Sequence, residues 1–196
     1  MARRLLAVAV LALVLPAGAF AATVHIRVEG QTRTLFAAAP ITVTAATPLE
    51  ALQKAATIGE FYYHLTNASF GTYVDQIGLY PGTADSGWVY KVDNVSPPVG
   101  ADSDQLKDGD TVLWYWATFG PTGGPPTLSL AKSGACYTVS AFDDNGKAAT
   151  VSGVTLHVGS KQTVSATLGK AVCLKAHRGL LVRATATGAV RSNALQ

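Results

Sequence analysis

One short segment of the chain carries the clear signals of a helix start, and it sets the helical content of the fold. Thr47 is a favourable N-cap residue, Pro48 suits the first helical position, and Glu50 follows Thr47 at the spacing of a capping box. The apolar residues that follow share one helical face: Leu49, Leu52, Ala55 and Ala56. Gly59 marks the expected end. The pattern predicts one amphipathic helix.

Segments on both sides of this helix have the period of β-strands. Residues 23–29 alternate, with Val24, Ile26 and Val28 on one face and His25, Arg27 and Glu29 on the other. Further strands are predicted at residues 32–36, 41–44, 61–65, 73–80, 88–93 and 111–119, with Val74, Ile77 and Leu79 in the core. Strands around a single helix indicate an α+β domain with a β-grasp-like fold over residues 22–119.

Residues 120–126 differ in composition from everything before them. They read Gly-Pro-Thr-Gly-Gly-Pro-Pro, which is typical of a stiff linker between domains. Beyond them the helix signal vanishes and short β-rich segments recur, with an Asn145-Gly146 hairpin signal among them and a last candidate strand at residues 189–195. We therefore predict a small all-β domain, an Ig-like sandwich, over residues 127–196.

Charge separates the same two regions. Residues 22–120 contain 5 Lys/Arg and 10 Asp/Glu, whereas residues 121–196 contain 8 Lys/Arg and 2 Asp/Glu. We therefore expect an acidic and a basic domain that attract each other. Neither contains a dense basic run, which argues against nucleic acid as a partner. A cell-envelope polymer is a candidate partner of the basic domain.

The two cysteines, Cys136 and Cys173, both lie in the basic region. In an exported chain, two cysteines indicate one disulfide. A ring of this size contributes about 3–4 kcal/mol of stability in the chain-entropy model. Two buried free thiols are the alternative, if the exporting organism leaves its exported proteins reduced.

The first 21 residues have the parts of a secretory signal peptide. Arg3 and Arg4 precede an apolar run at residues 5–15, and Ala19 and Ala21 place small residues where a signal peptidase inspects them. We expect a signal helix, cleavage after Ala21, no membrane span after cleavage, and a secreted protein that is extracellular or at the cell surface. An N-terminal membrane anchor is the alternative, although the run is shorter than the roughly 20 residues that a span needs.

Two motifs connect this sequence with a known family. Residues 87–94 read Gly-Trp-Val-Tyr-Lys-Val-Asp-Asn, and residues 106–112 read Leu-Lys-Asp-Gly-Asp-Thr-Val. Over residues 23–119 the chain resembles the transcobalamin-like C-terminal domain family, DUF4430-type domains of secreted bacterial proteins. The resemblance implies a β-grasp-like domain, which in the vertebrate cobalamin carriers closes over the corrinoid beside an α-helical barrel. This sequence has no such barrel.

The titratable residues form no catalytic or metal-binding pattern. The 4 histidines are scattered without ligand spacing, and no G-x-S-x-G elbow is present. His64 is a conceivable cobalt ligand that no neighbouring motif supports. The acidic cluster consists of Asp102, Asp104, Asp108 and Asp110. A Ca²⁺ loop is one interpretation of it, and a solvated acidic turn is the favoured one. We expect no metal and no enzymatic activity, and cobalamin is the single cofactor considered.

The aromatic residues carry the functional prediction. Trp114, Tyr115 and Trp116 place rings on both faces of one strand, and the core of a small domain covers only one face. The predicted binding residues are Tyr80, Trp88, Tyr90, Trp114 and Tyr115, with residues 81–87 as a rim. We predict a non-enzymatic binding module for an unidentified protein or small molecule. The alternative is a corrinoid-type carrier subunit that lacks its helical barrel.

Overall fold

The computed structural model describes residues 21–69, 71–121, 123–175 and 179–196. Within these residues the chain is mostly β-strand, arranged in several sheets, with one helix. The predicted signal helix, residues 1–21, lies outside this range apart from Ala21. In the part of the chain that the structure describes, no helix has the length and apolar character of a membrane span.

The N-terminal half contains two sheets and the helix. Its elements are β1 (Ala22–Glu29), β2 (Thr34–Ala45), α1 (Pro48–Gly59), β3 (Tyr63–Ala68), β4 (Gly71–Ile77), β5 (Tyr80–Pro81), β6 (Ser86–Val92) and β7 (Thr111–Thr118). The larger sheet has the order β2-β1-β7-β6, in which β1 and β7 are parallel. The smaller sheet has the order β3-β4-β5. β6 is therefore the end strand of the larger sheet.

The helix begins where the sequence predicts. Thr47 is the N-cap, and its Oγ1 accepts the N–H of Glu50 at 3.2 Å, while Glu50 Oε2 accepts the N–H of Ala46 at 2.8 Å. These bonds satisfy donors that a helix start leaves unpaired. The helix ends at Gly59, where only glycine fits, because a Cβ would lie 2.4 Å from Cδ2 of Phe36.

The apolar face of α1 packs on the larger sheet. Fully buried residues of this core include Ala51, Leu52, Ala55, Val24, Ile26 and Val28. The alternation predicted for residues 23–29 is therefore present. The face expected to be polar is also covered, because Arg27 and Glu29 are buried against the C-terminal half.

Two details predicted for this half are wrong. Residues 34–36 and 41–44 do not form separate strands but both belong to β2, and residues 32–33 lie in the bend before it. The pairing of β2 with β1 is irregular near Ala37, a residue with a φ of 52°. Leu79 is not in the core but 82% exposed, because it lies in the turn between β4 and β5, directly after Gly78 with a φ of 58°.

The C-terminal half consists of antiparallel strands in two sheets. Its elements are β8 (Thr127–Ser133), β9 (Cys136–Phe142), β10 (Ser152–Val158), β11 (Gln162–Ser165), β12 (Ala171–Cys173), β13 (Val182–Thr187) and β14 (Ala194–Leu195). The sheet orders are β12-β9-β8 and β11-β10-β13-β14. Both sheets contribute to one apolar core, which includes Leu128, Val139, Leu156 and Val182. The predicted all-β character of this half agrees with these sheets.

The predicted disulfide between Cys136 and Cys173 is present. The two residues are opposite each other in the pairing of β9 with β12. The bond therefore fixes the short edge strand β12 to its neighbour.

The last predicted strand, residues 189–195, is reduced to β14. The reason is that Val190 is hydrogen-bonded to the start of β8 instead. Its N–H donates to the C=O of Pro126, and its C=O accepts the N–H of Leu128 at 3.0 Å. The segment thereby fastens the chain terminus to the start of the second half.

The two halves meet along the outer face of the larger sheet, which is the face opposite to α1. An apolar cluster there consists of Leu113, Tyr115, Ala117 and Val190. Beside it the Nζ of fully buried Lys91 lies 3.3 Å from Asp144 Oδ1 and donates to the C=O of Asp143 at 2.7 Å. The contact thus combines apolar packing with buried charge pairs.

Candidate functional site

A cleft of about 440 Å³ opens beside the end strand of the larger sheet. Residues 88–90 of β6 line one side and residues 72–74 of β4 line another. Leu49 of α1 and Trp114 of β7 also line it. Its volume falls in the range of about 300–1,000 Å³ that is usual for ligand sites.

The cleft exists because β4 and β6 belong to different sheets. The N–H of Gly82 donates to the C=O of Asp75 at 2.6 Å, which holds the chain leading into β6 against the end of β4. Beyond this point the two strands are not paired with each other. Two strand edges therefore border one cleft.

The predicted binding residues Tyr80, Trp88, Tyr90 and Trp114 lie on the same side of the larger sheet. The ring centroids of Tyr90 and Trp114 are 5.4 Å apart, and those of Tyr80 and Trp88 are 6.4 Å apart. Trp88, Tyr90 and Trp114 line the cleft, whereas Tyr80 packs against Trp88 and is not part of the lining. Because Trp88 and Trp114 are buried and Tyr90 is half-buried, Tyr90 is the most accessible ring.

Hydrogen bonds fix the orientation of three of these rings. The bonds run from Trp88 Nε1 to Tyr80 O (2.8 Å), from Trp114 Nε1 to Pro48 O (3.0 Å) and from Tyr90 Oη to Val99 O (2.8 Å). A buried aromatic ring with a satisfied polar atom is held in one position. The wall of the cleft is therefore largely preformed.

The fifth predicted residue, Tyr115, lies on the opposite face of the sheet. It is 1% exposed, with its hydroxyl 3.3 Å from Asp144 Oδ1 and its ring centroid 5.8 Å from Lys91 Nζ. Burial, followed by the charge of Asp144, raises the pKa of Tyr115. Tyr115 thus joins the two halves, and it lines the cleft together with Gly124 and Asp144.

Three further cleft residues have no signal in the sequence pattern: Tyr73, Val99 and Phe119. Their side chains are large and apolar, and they are 42%, 48% and 48% exposed. A single exposed apolar residue is ordinary, whereas several around one cleft mark an interaction site. For Val99 the sequence contains a partial signal, the preceding pair Pro97-Pro98. Two prolines exclude a regular strand, so they predict that Val99 lies in a loop.

Two carboxylates, those of Asp102 and Asp104, lie near the cleft but are not part of its lining. Burial raises the pKa of Tyr90, and the negative charges of Asp104 and Asp102 raise it further. Asp102 Oδ2 would lie 3.9 Å from a Cβ at Gly71, so this carboxylate is also close to the start of β4. A cation bound at this end would be stabilised by both carboxylates.

The edge of β6 is unpaired along the cleft. The N–H of Asp93 donates to the C=O of Thr111, the first residue of β7. The N–H and C=O of Val92, by contrast, bond to the loop on the side of β6 that faces away from β7. Because successive residues of a strand alternate, the N–H and C=O of Trp88 and Tyr90 point away from β7 as well. Among the described residues, these groups have no backbone partner.

Among the described residues, Asp108, Asp110 and His64 lie outside the cleft lining. Asp110 accepts the N–H of Lys107 within the turn at 2.8 Å, and Asp108 accepts the N–H of Thr23 on β1 at 2.7 Å. Within the residues described, no three His, Cys, Asp or Glu side chains are grouped to hold a metal. His64 Nδ1 lies 2.7 Å from Asp75 Oδ1, and His64 does not line the cleft.

Comparison with known families places most of the cleft lining in a segment that matches a family model. Residues 43–118 match the model of a family described as a domain of unknown function, DUF4430. The match runs from within β2 to the end of β7 and includes both strands that border the cleft. The DUF4430 part of the predicted resemblance is confirmed for this segment. No curated protein matches this sequence.

Proposed function

We propose that the protein is a non-enzymatic binding module whose cleft beside β6 holds a ligand or part of a partner protein. The observation that carries this proposal is the meeting of exposed apolar side chains, Val99 and Phe119 among them, at one preformed aromatic cleft. An apolar group that displaces water from such a cleft gains free energy. The unpaired edge of β6 adds directional hydrogen-bonding groups to the same place.

We interpret residues 22–119 as a transcobalamin-like β-grasp domain. The sheet order β2-β1-β7-β6, the packing of α1 on this sheet and the DUF4430 match support this interpretation. We interpret residues 127–196 as an Ig-like sandwich, which is supported by two antiparallel sheets around one core. Residues 120–126 would then be the connection between the domains.

We infer that the protein works outside the cytoplasm, either secreted or at the cell surface. Support comes from the signal-peptide pattern of residues 1–21 and from the disulfide, a bond that persists in oxidising compartments. The C-terminal half exposes a set of lysines, Lys132, Lys147, Lys161, Lys170 and Lys175. We propose that they hold the protein against an anionic polymer of the cell envelope.

The binding function is tested with Nile red, a neutral dye that fluoresces in apolar sites. We expect saturable binding, and at least fivefold weaker binding by Val99→Asp, because a carboxylate at the cleft repels an apolar guest. Leu79→Asp is the matched control, since Leu79 is also exposed and does not line the cleft. Identical dye binding by the wild type and Val99→Asp would show that the cleft is not the site.

The alternative is a corrinoid-type carrier subunit that acts with a separate helical-barrel protein. Its support is the family match together with the motifs at residues 87–94 and 106–112. Titration of the full chain with cobalamin, followed by the visible spectrum, separates the two functions. A saturable spectral shift supports the carrier, and an unchanged spectrum rejects it.

A further inference from the structure

We infer that the occupant of the cleft is an extended, basic peptide segment that adds to the edge of β6 as an extra strand. This inference rests on the proposed function, because it names the ligand class of the same cleft. It is carried by three observations, which concern the backbone of β6, the opposite wall of the cleft, and the charge beside Tyr90.

The backbone of β6 presents the groups that a strand recognises. Trp88 and Tyr90 each direct one N–H and one C=O away from β7. Groups two residues apart in a strand are separated by about 6.8 Å, and an extended peptide repeats its own donors and acceptors at the same spacing. Addition of a strand to a sheet edge is an established mode of peptide recognition, in which main-chain bonds give affinity.

The open part of this edge is short and closed at both ends. Val92 exchanges hydrogen bonds of 2.9 Å with Val95 in both directions, and the C=O of Ser86 accepts the N–H of Thr83 at 2.7 Å. Residues 88–90 therefore remain available for pairing. A short edge with closed ends limits unspecific sheet growth and selects a segment that fits the cleft.

The opposite wall distinguishes this cleft from an ordinary exposed edge. Residues 72–74 of β4 border the same space as residues 88–90. Neighbouring strands in a sheet lie about 4.8 Å apart. A peptide paired with β6 would thus lie on the side of β6 that faces residues 72–74, and its alternate side chains would contact the ring of Tyr90.

Charge complementarity selects a basic segment. Asp102 directly follows Ala101 of the cleft lining, and its Oδ2 would lie 3.9 Å from a Cβ at Gly71, at the start of β4. Residues 22–120, which supply most of the cleft lining, carry 5 Lys/Arg and 10 Asp/Glu, so the local surroundings of the cleft are acidic. A Lys or Arg at this end of the peptide would be attracted by the carboxylate of Asp102.

The test begins with a random library of twelve-residue peptides displayed on phage and selected on the full chain. We expect enriched peptides in which apolar residues alternate with polar ones and which contain Lys or Arg. Synthetic versions of these peptides should displace Nile red. Enriched peptides with helical spacing of apolar residues, or with a net negative charge, would overturn the inference.

Backbone pairing is tested by N-methylation of one amide at a time in the best peptide. Methylation at every second position should weaken binding about tenfold, because the lost bond and the steric block act together. The positions between should tolerate the methyl group. If the loss of peptide affinity does not alternate from one methylated position to the next, the inference is overturned.

The protein side is tested by comparing Tyr90→Pro with Tyr90→Val. Both variants remove the ring, but only proline removes the N–H, which faces outward on an edge strand where proline is tolerated. Both should bind Nile red equally, and Tyr90→Pro should bind the peptide about tenfold more weakly. Equal peptide affinity would overturn the inference, and the N-methylation series decides if Tyr90→Pro does not fold.

The failure of this inference is distinguishable from the failure of the proposed function. If Nile red binds in a Val99-dependent manner but no displayed peptide is enriched, the peptide inference is wrong and the binding cleft stands. If neither the dye nor any peptide binds, the cleft is not a binding site and both proposals are wrong.

Discussion

Arg191 Nε donates a hydrogen bond of 3.0 Å to Glu29 Oε2, across 162 positions of the sequence. The fully buried carboxylate of Glu29 also accepts from Arg27 at 2.9 Å, from Thr34 at 3.0 Å and from Arg183. Burial lowers the pKa of Arg27 to about 10, although the charge of Glu29 opposes the change. One carboxylate therefore joins β1 to two arginines of the C-terminal half.

Replacement of this carboxylate tests its contribution to stability. In Glu29→Gln, three partly or fully buried guanidinium groups lose their counter-charge, and removal of one partner of a buried ion pair typically costs about 3–5 kcal/mol. We expect the free energy of unfolding, measured by urea denaturation, to fall by an amount in this range.

The matched control is Glu60→Gln, the same chemical change at an exposed residue. Its effect should stay within about 0.5 kcal/mol. Similar losses in both variants would mean that Glu29 is not a central connection between the halves.

Glu29 also illustrates which parts of the fold can be predicted from sequence. The alternation of residues 23–29 predicts which side chains face α1, because a period of two follows from strand geometry alone. It does not reveal that the other face is covered, since Arg183 and Arg191 are 154 and 162 positions away and leave no local pattern. The predicted attraction between an acidic and a basic region agrees with these pairs. The sequence does not indicate which residues form the pairs.

The candidate site divides in the same way. Trp88, Tyr90 and Trp114 could be assigned to one face because they occupy alternate positions of neighbouring strands. Val99 and Phe119 could not be assigned to the cleft, because their places depend on how loops pack after the sheet has formed. Sequence therefore predicts the rigid wall of the cleft, whereas its accessible parts appear only in the structure.

Acid should weaken the contact at Asp144. Burial alone would raise the pKa of Asp144, but the N–H of Gly124 at 2.8 Å and the charge of Lys91 at 3.3 Å outweigh burial and lower it. Because the folded-state pKa lies below the unfolded-state pKa, the stabilisation is fully present above about pH 4 and is lost as pH falls through the folded-state pKa. The free energy of unfolding should therefore decrease with acid less steeply in Asp144→Asn than in the wild type.

The comparison for this prediction is Asp85→Asn, at an exposed residue outside the contact. This variant should keep the slope of the wild type between pH 5 and pH 3, as judged by urea denaturation at about six pH values. A wild-type slope in Asp144→Asn would contradict the prediction.

The exposed lysines of the C-terminal half should give salt-dependent attachment. Binding of the full chain to isolated cell envelopes should weaken between about 0.05 and 0.5 M salt, because screening shortens the reach of exposed charges. The double variant Lys161→Gln, Lys170→Gln should bind more weakly at low salt. Lys54→Gln with Lys107→Gln changes the net charge equally in the N-terminal half and should bind as the wild type does. Attachment that is independent of salt would contradict the envelope proposal.

Removal of the disulfide should destabilise one half more than the other. Cys136 and Cys173 lie in the C-terminal half, whose apolar core is separate from that around α1. Loss of the bond increases the entropy of the unfolded chain, which for a ring of this size costs about 3–4 kcal/mol. Replacement of both cysteines by alanine should therefore shift the unfolding of the C-terminal half to lower urea.

The tryptophans allow the two halves to be followed separately. All 3 lie in the N-terminal half, at positions 88, 114 and 116, so their fluorescence reports that half, whereas circular dichroism reports strands of both. In the cysteine-free variant the dichroism transition should begin at lower urea than the fluorescence transition. Equal shifts of both would mean that the Glu29 and Lys91 contacts couple the two cores strongly enough for them to unfold together, and an unshifted dichroism transition would mean that β12 is held without the disulfide.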